Sequence, residues 1–215
     1  MERVLIVART RMGSGVCVGG LALDSNRSVR LLTKEGTHQP RLIEFQVGQI
    51  WNVDFRKVAH VEPPHVEDVL VYSKQLLEPV DDIRSTLLAR VRPWTGGPES
   101  LFDGTLTLDR ARCYLAKSGS MPGCSTGYWL LDRPLLFDKE HVDRTQIKHQ
   151  YLMRYTENTG YGPRTRTLVV PFVGYAHPLD EIPAGTLARI SLARWFTPSS
   201  VGEARCYVQL SGWYL

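Results

Sequence analysis

The chain has 215 residues, of which 43% are hydrophobic and 22% are charged. These proportions are ordinary for a globular protein and exclude wholesale disorder, and the length suits one large domain or two small ones. No apolar run approaches the roughly 20 residues that a membrane-spanning helix needs. The first apolar run, within MERVLIVARTR, is too short for a signal peptide and is typical of a strand. We therefore expect a cytoplasmic protein.

The net charge of +4 comes from one segment. Residues 144–175 carry five cationic side chains and one acidic side chain, whereas the stretches before and after this segment are each neutral. The cationic side chains are Arg144, Lys148, Arg154, Arg164 and Arg166. A local basic segment on a neutral body favours an acidic partner.

The four cysteines are widely spaced, and no two of them form a CxxC pair. In a chain without a secretion signal, this spacing favours reduced thiols over disulfides or a zinc site. We expect no metal and no other cofactor.

Strand patterns fill most of the first 80 residues. Arg3–Ala8 and Val16–Leu23 are rich in β-branched residues and leucine, and the turn-prone Met12–Gly15 separates them. Gln49–Val58 shows the two-residue alternation of a half-buried strand. Val69–Leu77 fits either a strand or a helix.

The middle of the chain predicts one helix, two short strands at Thr105–Leu108 and Arg112–Ala116, and one long loop. Asp81–Val91 begins with aspartates, carries apolar residues at helical spacing and ends before a proline. Lys117–Asp132 starts with small residues, so its first part is an ordered connection or a ligand-contacting loop. The strands expected after it are Gln146–Thr156, Arg164–Tyr175, Thr186–Phe196 and Arg205–Leu215.

An irregular stretch that ends in glycine precedes a strand in each half, at Phe45–Gly48 and at Ile182–Gly185. Together with short strands in both halves, this favours two small β-barrels over one sandwich. We predict barrels at residues 1–80 and 145–215, with residues 81–144 as a connection that contains a short helix.

Six stretches carry a resemblance to a known family: ARTRMGSGVCVGG, GQIWNVDF, PPHVED, PGCSTGYWLLDRPL, RISLARWF and CYVQLSGWYL. As a set they resemble the bacterial proteins described as dual OB domain-containing. The resemblance implies a mainly β fold of two small OB-like barrels. By fold analogy it also implies nucleic-acid binding, with a protein partner in a multi-component bacterial defence or conflict system. It supplies no catalytic residues.

The basic segment is the first candidate site, because its cations are interleaved with tyrosines. Single-stranded nucleic acid binds to cations through its phosphates and to flat rings through its bases. The residues expected to make these contacts are Lys148, Tyr151, Arg154, Tyr155, Tyr161, Arg164 and Arg166. The alternative is that the tyrosines face the core and the arginines solvate an edge strand.

Further contacts are expected from two loops. Arg9 and Arg11 flank the first hairpin loop, which offers a second phosphate contact or is simply exposed. Lys117 and Ser125 extend the track if the Gly/Ser loop contacts the ligand. We expect a protein that binds single-stranded DNA or RNA and has no catalytic activity of its own.

A rival hypothesis places a small ligand or nucleotide between the barrels, in a binding protein or an enzyme. The Gly/Ser loop 117–127 would hold the anion, with His65, Glu67 and Asp68 as acid–base or metal-binding groups. A structural role for these three residues is the alternative. Ser125 lies in GCSTG, which matches the GxSxG nucleophile elbow in letters but lacks its strand-to-helix context.

Arg189 and Ser191 share one face of a predicted strand with Ala193. This strand either lines a ligand groove or places an arginine over Trp195 or Trp213 in a structural cation–π pair.

Overall fold

The computed structural model describes residues 1–13, 15–138, 149–160, 162–199 and 202–215, with the backbone alone at 157–159. The protein is mainly β, as predicted. The strands of the first half are β1 (Glu2–Met12), β2 (Gly15–Ala22), β3 (Arg27–Leu32), β4 (Gln49–Lys57) and β5 (Asp68–Pro79). The segment left open between strand and helix is therefore β5.

These strands form a closed barrel in the order β1-β2-β3-β5-β4. The barrel closes because β1 pairs with both β2 and β4, and the pairing of β3 with β5 is parallel. Alternate side chains along each strand point inward, so the β-branched residues noted in the sequence fill the interior. Its buried residues include Val4, Ile6, Val18, Leu31, Val53 and Val69.

The helix α1 (Ile83–Leu88) follows the barrel and is shorter than the predicted Asp81–Val91. Asp82 is the N-cap of this helix, because its Oδ1 accepts a hydrogen bond from the Ser85 backbone N–H at 2.9 Å. Leu87 is fully buried against the barrel exterior and the second half, so the helix lies in the joint between them.

The second half begins earlier than predicted. Its strands are β6 (Trp94–Gly96), β7 (Thr107–Asp109), β8 (Arg112–Ala116), β9 (Thr126–Leu131), β10 (Leu135–Phe137), β11 (Gln150–Thr159), β12 (Gly162–Pro171), β13 (Glu181–Ile182), β14 (Leu187–Leu192) and β15 (Arg205–Tyr214), with a 3-10 segment at Pro98–Gly104. They form a six-stranded sheet, β6-β9-β14-β15-β8-β7, and a four-stranded sheet, β12-β11-β10-β13. Residues 81–144 are thus not a mere connection, because β6 to β10 pair within these sheets.

One hydrophobic core lies between the two sheets. Trp129 of β9, Tyr151 of β11 and Leu210 of β15 are fully buried in it. A parallel bridge between Phe172 and Leu210 ties the sheets together, which gives the second half a curled, barrel-like shape.

A separate buried cluster joins the two halves. Leu5, Val7 and Leu21 on the outside of the barrel pack against Leu187 and Tyr214 of the second half. The Tyr214 hydroxyl also donates a hydrogen bond to the Val7 carbonyl across this joint. Among the described residues, no helix is long and apolar enough to cross a membrane.

Candidate nucleic-acid interface

The end of β1 pairs with the segment that follows β12. The Arg11 N–H donates to the Val173 carbonyl at 2.9 Å, and the Tyr175 N–H donates to the Arg9 carbonyl at 3.1 Å. Thr10 between the two arginines is buried, so strand alternation turns Arg9 and Arg11 to the other face. Gly174 is required here, because a Cβ atom would lie 2.5 Å from the Phe172 ring and 2.8 Å from the Ser211 carbonyl oxygen.

Tyr175 is the exposed aromatic side chain of this junction. Its side chain is 43% exposed, and the guanidinium carbons of Arg9 and Arg11 lie 5.4 and 5.5 Å from its ring centroid. Arg9 Nη1 donates to Gln46 Oε1, whereas its Nε is buried without a hydrogen-bond partner. Two cations beside a solvent-facing ring are the groups that single-stranded nucleic acid needs.

Two clefts meet at Tyr175. The first has a volume of about 490 Å³ and runs past Arg9, Val47 and Trp213. The second, of about 410 Å³, is lined by further ring side chains, Phe137, His149 and His177, and by Asp180 at its border. We call Arg9, Arg11, Tyr175 and these two clefts the Tyr175 groove.

His149 is neutral at physiological pH. Its pKa is lowered by burial, and further by the neighbouring side chains of Arg11 and His177. Its ring meets Phe137 edge-on at a centroid distance of 5.5 Å. The second cleft therefore has an aromatic wall, and it is also lined by the cationic Arg11 and the acidic Asp180.

The predicted basic hairpin is β11–β12, and its arginines do not form one surface. In the antiparallel register of β11 and β12, Arg154 lies opposite Thr167, Arg166 lies opposite Tyr155 and Arg164 lies opposite Glu157. Paired residues share a face, so Arg164 and Arg166 lie on the opposite face from Arg154. Arg154 and Arg164 are exposed, and Arg166 is half-buried. Lys148 and Tyr161 lie outside the described residues.

Base stacking on Tyr151 and Tyr155 was predicted, and this prediction is wrong for the folded chain. Tyr151 is fully buried and Tyr155 is 6% exposed, because both rings point into the core. The Tyr151 hydroxyl exchanges hydrogen bonds of 3.0 Å with the backbone carbonyl and N–H of Leu179. Its ring also meets Phe137 and Trp213 at 5.5 and 6.0 Å.

Ser125 of the Gly/Ser loop is not available to contact nucleic acid. This residue is fully buried, and its N–H and hydroxyl both donate to the Glu67 carboxylate, at 2.6 and 2.7 Å. A strand, β9, follows it, so the nucleophile elbow is also absent. Lys117 pairs with Glu62 at 2.8 Å and lies 4.4 Å over the Trp195 ring.

The segment Glu62–Asp68 contacts the second half of the protein through its acidic and histidine side chains. These side chains therefore have structural partners. Asp68 pairs with Arg30 of its own barrel and with Arg194 of the second half at 2.8 Å. Burial acts to raise the pKa of Asp68, but these two arginines outweigh it and hold the pKa below its usual range. In the described part of the chain, no group of three histidine, cysteine or acidic residues is placed to hold a metal.

His65 is buried in this joint. It is 1% exposed, and its Nε2 lies 3.8 Å from Cys206 Sγ. Burial lowers the pKa of His65 to about 4, with a further contribution from Arg194 and Arg30. Burial likewise raises the pKa of Cys206 to about 12, so neither group is suited to acid–base or nucleophilic chemistry.

Sequence reasoning selected Arg9 and Arg11 but not their partners. Tyr175, His149 and His177 were not assigned to a site, because their approach to β1 depends on the bridge between Thr10 and Gly174. The available signal was Tyr175-Ala176-His177-Pro178, an aromatic residue at the end of a strand and before a proline.

The first half, with β1 paired on both sides and β3 parallel to β5, is a five-stranded OB-type barrel, and the second half is a curled, two-sheet unit that is consistent with a second OB domain. The family model for the dual OB-containing domain matches residues 2–213. The chain therefore belongs to the dual OB-containing domain family. No curated protein and no solved structure matches it.

Proposed function

We propose that this protein binds single-stranded nucleic acid in the Tyr175 groove. The observation that carries the proposal is an exposed tyrosine ring beside two arginines, at the point where two clefts meet. A base stacks on the Tyr175 ring while Arg9 and Arg11 contact the phosphates on either side of it. OB-type barrels commonly bind oligonucleotides, which is consistent with the family.

An unpaired strand suits this surface better than a duplex. Stacking on Tyr175 needs a base whose face is free, and the bases of a duplex are stacked on one another. The ring-lined cleft beside His149 and Phe137 offers room for a neighbouring base. Arg164 on the exposed part of the β11–β12 hairpin adds long-range attraction for phosphates.

The test is fluorescence anisotropy of labelled single-stranded DNA and RNA at low and moderate salt. Tyr175→Ala removes the stacking surface, and we expect about a 5- to 150-fold loss of affinity, which corresponds to roughly 1–3 kcal/mol per stacked base. Arg9→Ala/Arg11→Ala removes two phosphate contacts and lowers the salt slope by about 1.4.

A matched control lies on the first barrel. Arg56 is 4.9 Å over the ring of Tyr72, which is 47% exposed, so Arg56→Ala/Tyr72→Ala removes the same kind of pair from another surface. The control keeps nearly wild-type affinity if the Tyr175 groove is the site. Equal losses in the two sets of variants, or no binding at low salt, would reject the proposal.

A further inference from the structure

Strand β14 presents polar residues towards the first barrel. Ala188 and Ile190 point into the core of the second half. Alternation turns Arg189 and Ser191 to the opposite face, where both line a cavity between the halves. Of the two sequence hypotheses for this face, the cavity agrees with the ligand groove. No cation–π contact of Arg189 is found among the described residues.

Glycine at position 19 makes room for the Arg189 guanidinium on the barrel wall. A Cβ atom at Gly19 would lie 2.7 Å from Arg189 Nη2 and 3.0 Å from its Cζ. The arginine is 5% exposed, so its charged group is buried against β2. The two halves thus fit together around a buried cation.

Arg189 has no acidic partner in the described part of the chain. No ion pair includes it, and its Nε is buried without a hydrogen-bond partner. The Tyr128 hydroxyl is buried beside Arg189 and carries no charge: burial raises the pKa of Tyr128, although its interaction with Arg189 acts to lower it, so Tyr128 supplies a polar contact but no counter-charge. A buried charge without a counter-ion is strongly unfavourable, so a partner of opposite charge is expected beside Arg189.

The cavity beside Arg189 has a volume of about 60 Å³ and is also lined by Arg30, Arg194 and Glu67. It has room for about four water molecules or one small polyatomic ion. Arg30 and Arg194 share Asp68, while Glu67 accepts hydrogen bonds from the Ser125 N–H, the Ser125 hydroxyl and the Thr126 N–H.

Three guanidinium groups against two carboxylates leave one positive charge in this region, and Arg30 Nη2 is a second buried donor without a partner. We propose that the cavity between the two halves binds one oxyanion of the phosphate type, held by Arg189. Arg194, whose side chain is 44% exposed, lies at the edge of the cavity and opens it to solvent. This site does not depend on the Tyr175 groove.

The test is thermal unfolding of the full chain with inorganic phosphate or adenosine monophosphate, against potassium chloride at matched ionic strength. We expect phosphate at about 100 times its Kd to raise the Tm by roughly 5 to 10 °C. The cavity has room for the ion but not for a nucleoside, so a shift with adenosine monophosphate and none with inorganic phosphate contradicts the proposal. No shift with either anion overturns the proposal.

Two variants test whether the rise in Tm with phosphate comes from binding beside Arg189. Arg189→Met removes the charge and abolishes the shift, and circular dichroism checks that the variant folds. Gly19→Ala keeps the charge but pushes the guanidinium away, so it weakens anion binding about tenfold or more even if Arg189→Met fails to fold. Tyr175→Ala keeps the full response. A shift that survives in both Arg189→Met and Gly19→Ala contradicts the proposal.

Discussion

Tyr151 is selected from the sequence for base stacking and Tyr175 is not, yet Tyr151 is fully buried and Tyr175 is 43% exposed. Alternation along β11 correctly groups Tyr151 with Tyr155 on one face. It does not say which face the other sheet will cover, because that depends on strands that are distant in the chain. Residue type and periodicity therefore predict neighbours on a strand better than they predict exposure.

Tyr151→Phe separates a core role from a binding role. Removing the hydroxyl leaves the Leu179 N–H and carbonyl without their partner, and we expect a loss of about 1–3 kcal/mol in the free energy of unfolding. Urea denaturation measures this loss, while oligonucleotide affinity stays at the wild-type value. Reduced affinity with unchanged stability would contradict the assignment of Tyr151 to the core.

His65 predicts a pH dependence of stability. Its pKa is about 4 in the folded chain, against about 6.5 in the unfolded chain. Stability is complete above pH 6.5, where the imidazole is neutral in both states. It falls as the pH drops towards 4, because the unfolded chain takes up the proton first, and the loss reaches about 3 kcal/mol.

His65→Gln removes this titration and serves as the comparison. Urea unfolding between pH 7 and pH 4 should show a flatter stability profile for the variant than for the wild type. Since His38 and His149 also have lowered pKa values, some slope remains in the variant. Parallel profiles for the two proteins would show that the pKa of His65 is not lowered in the folded chain.

Glu62–Asp68 is the clearest case of an element whose role could not be predicted. The sequence shows a constrained, acidic loop, and a structural role was one of two hypotheses for it. Its partners Ser125 and Arg194 are 58 and 126 residues away, so no local pattern indicates them. The strands of the first barrel, by contrast, are visible in the sequence because their alternation is local.

Glu67→Ala tests whether the hydrogen bonds from Ser125 and Thr126 to Glu67 hold the two halves together. The substitution leaves the buried Ser125 N–H and hydroxyl without an acceptor, and we expect a loss of about 2–4 kcal/mol in the free energy of unfolding. Hydrogen exchange at the Ser125 and Thr126 amides should become faster. Glu67→Gln keeps one acceptor oxygen, so we expect a smaller loss in its free energy of unfolding than in that of Glu67→Ala. Unchanged protection of both amides in Glu67→Ala would contradict the role.

The second half covers one wall of the first barrel. Strands β2 and β3 form the face that OB-type barrels commonly use for oligonucleotides, but here Gly19 of β2 lies under Arg189. An accessible group of two arginines and one aromatic ring lies instead at the end of β1, where Tyr175 joins it. Packing between the halves thus both closes the usual face and creates the Tyr175 groove. This relation depends on contacts across the whole chain, and the local sequence patterns do not contain it.

The same packing predicts that the two halves unfold together. Leu187 is fully buried in the cluster that joins Leu5 and Leu21 of the barrel to Tyr214. Leu187→Ala should therefore cost about 2–5 kcal/mol and lower the hydrogen-exchange protection of β2 and of β15 by the same amount. Urea unfolding should remain a single transition. Loss of protection in β15 alone would mean that the barrel is stable without its neighbour, and the groove would then be a contact between two independent domains.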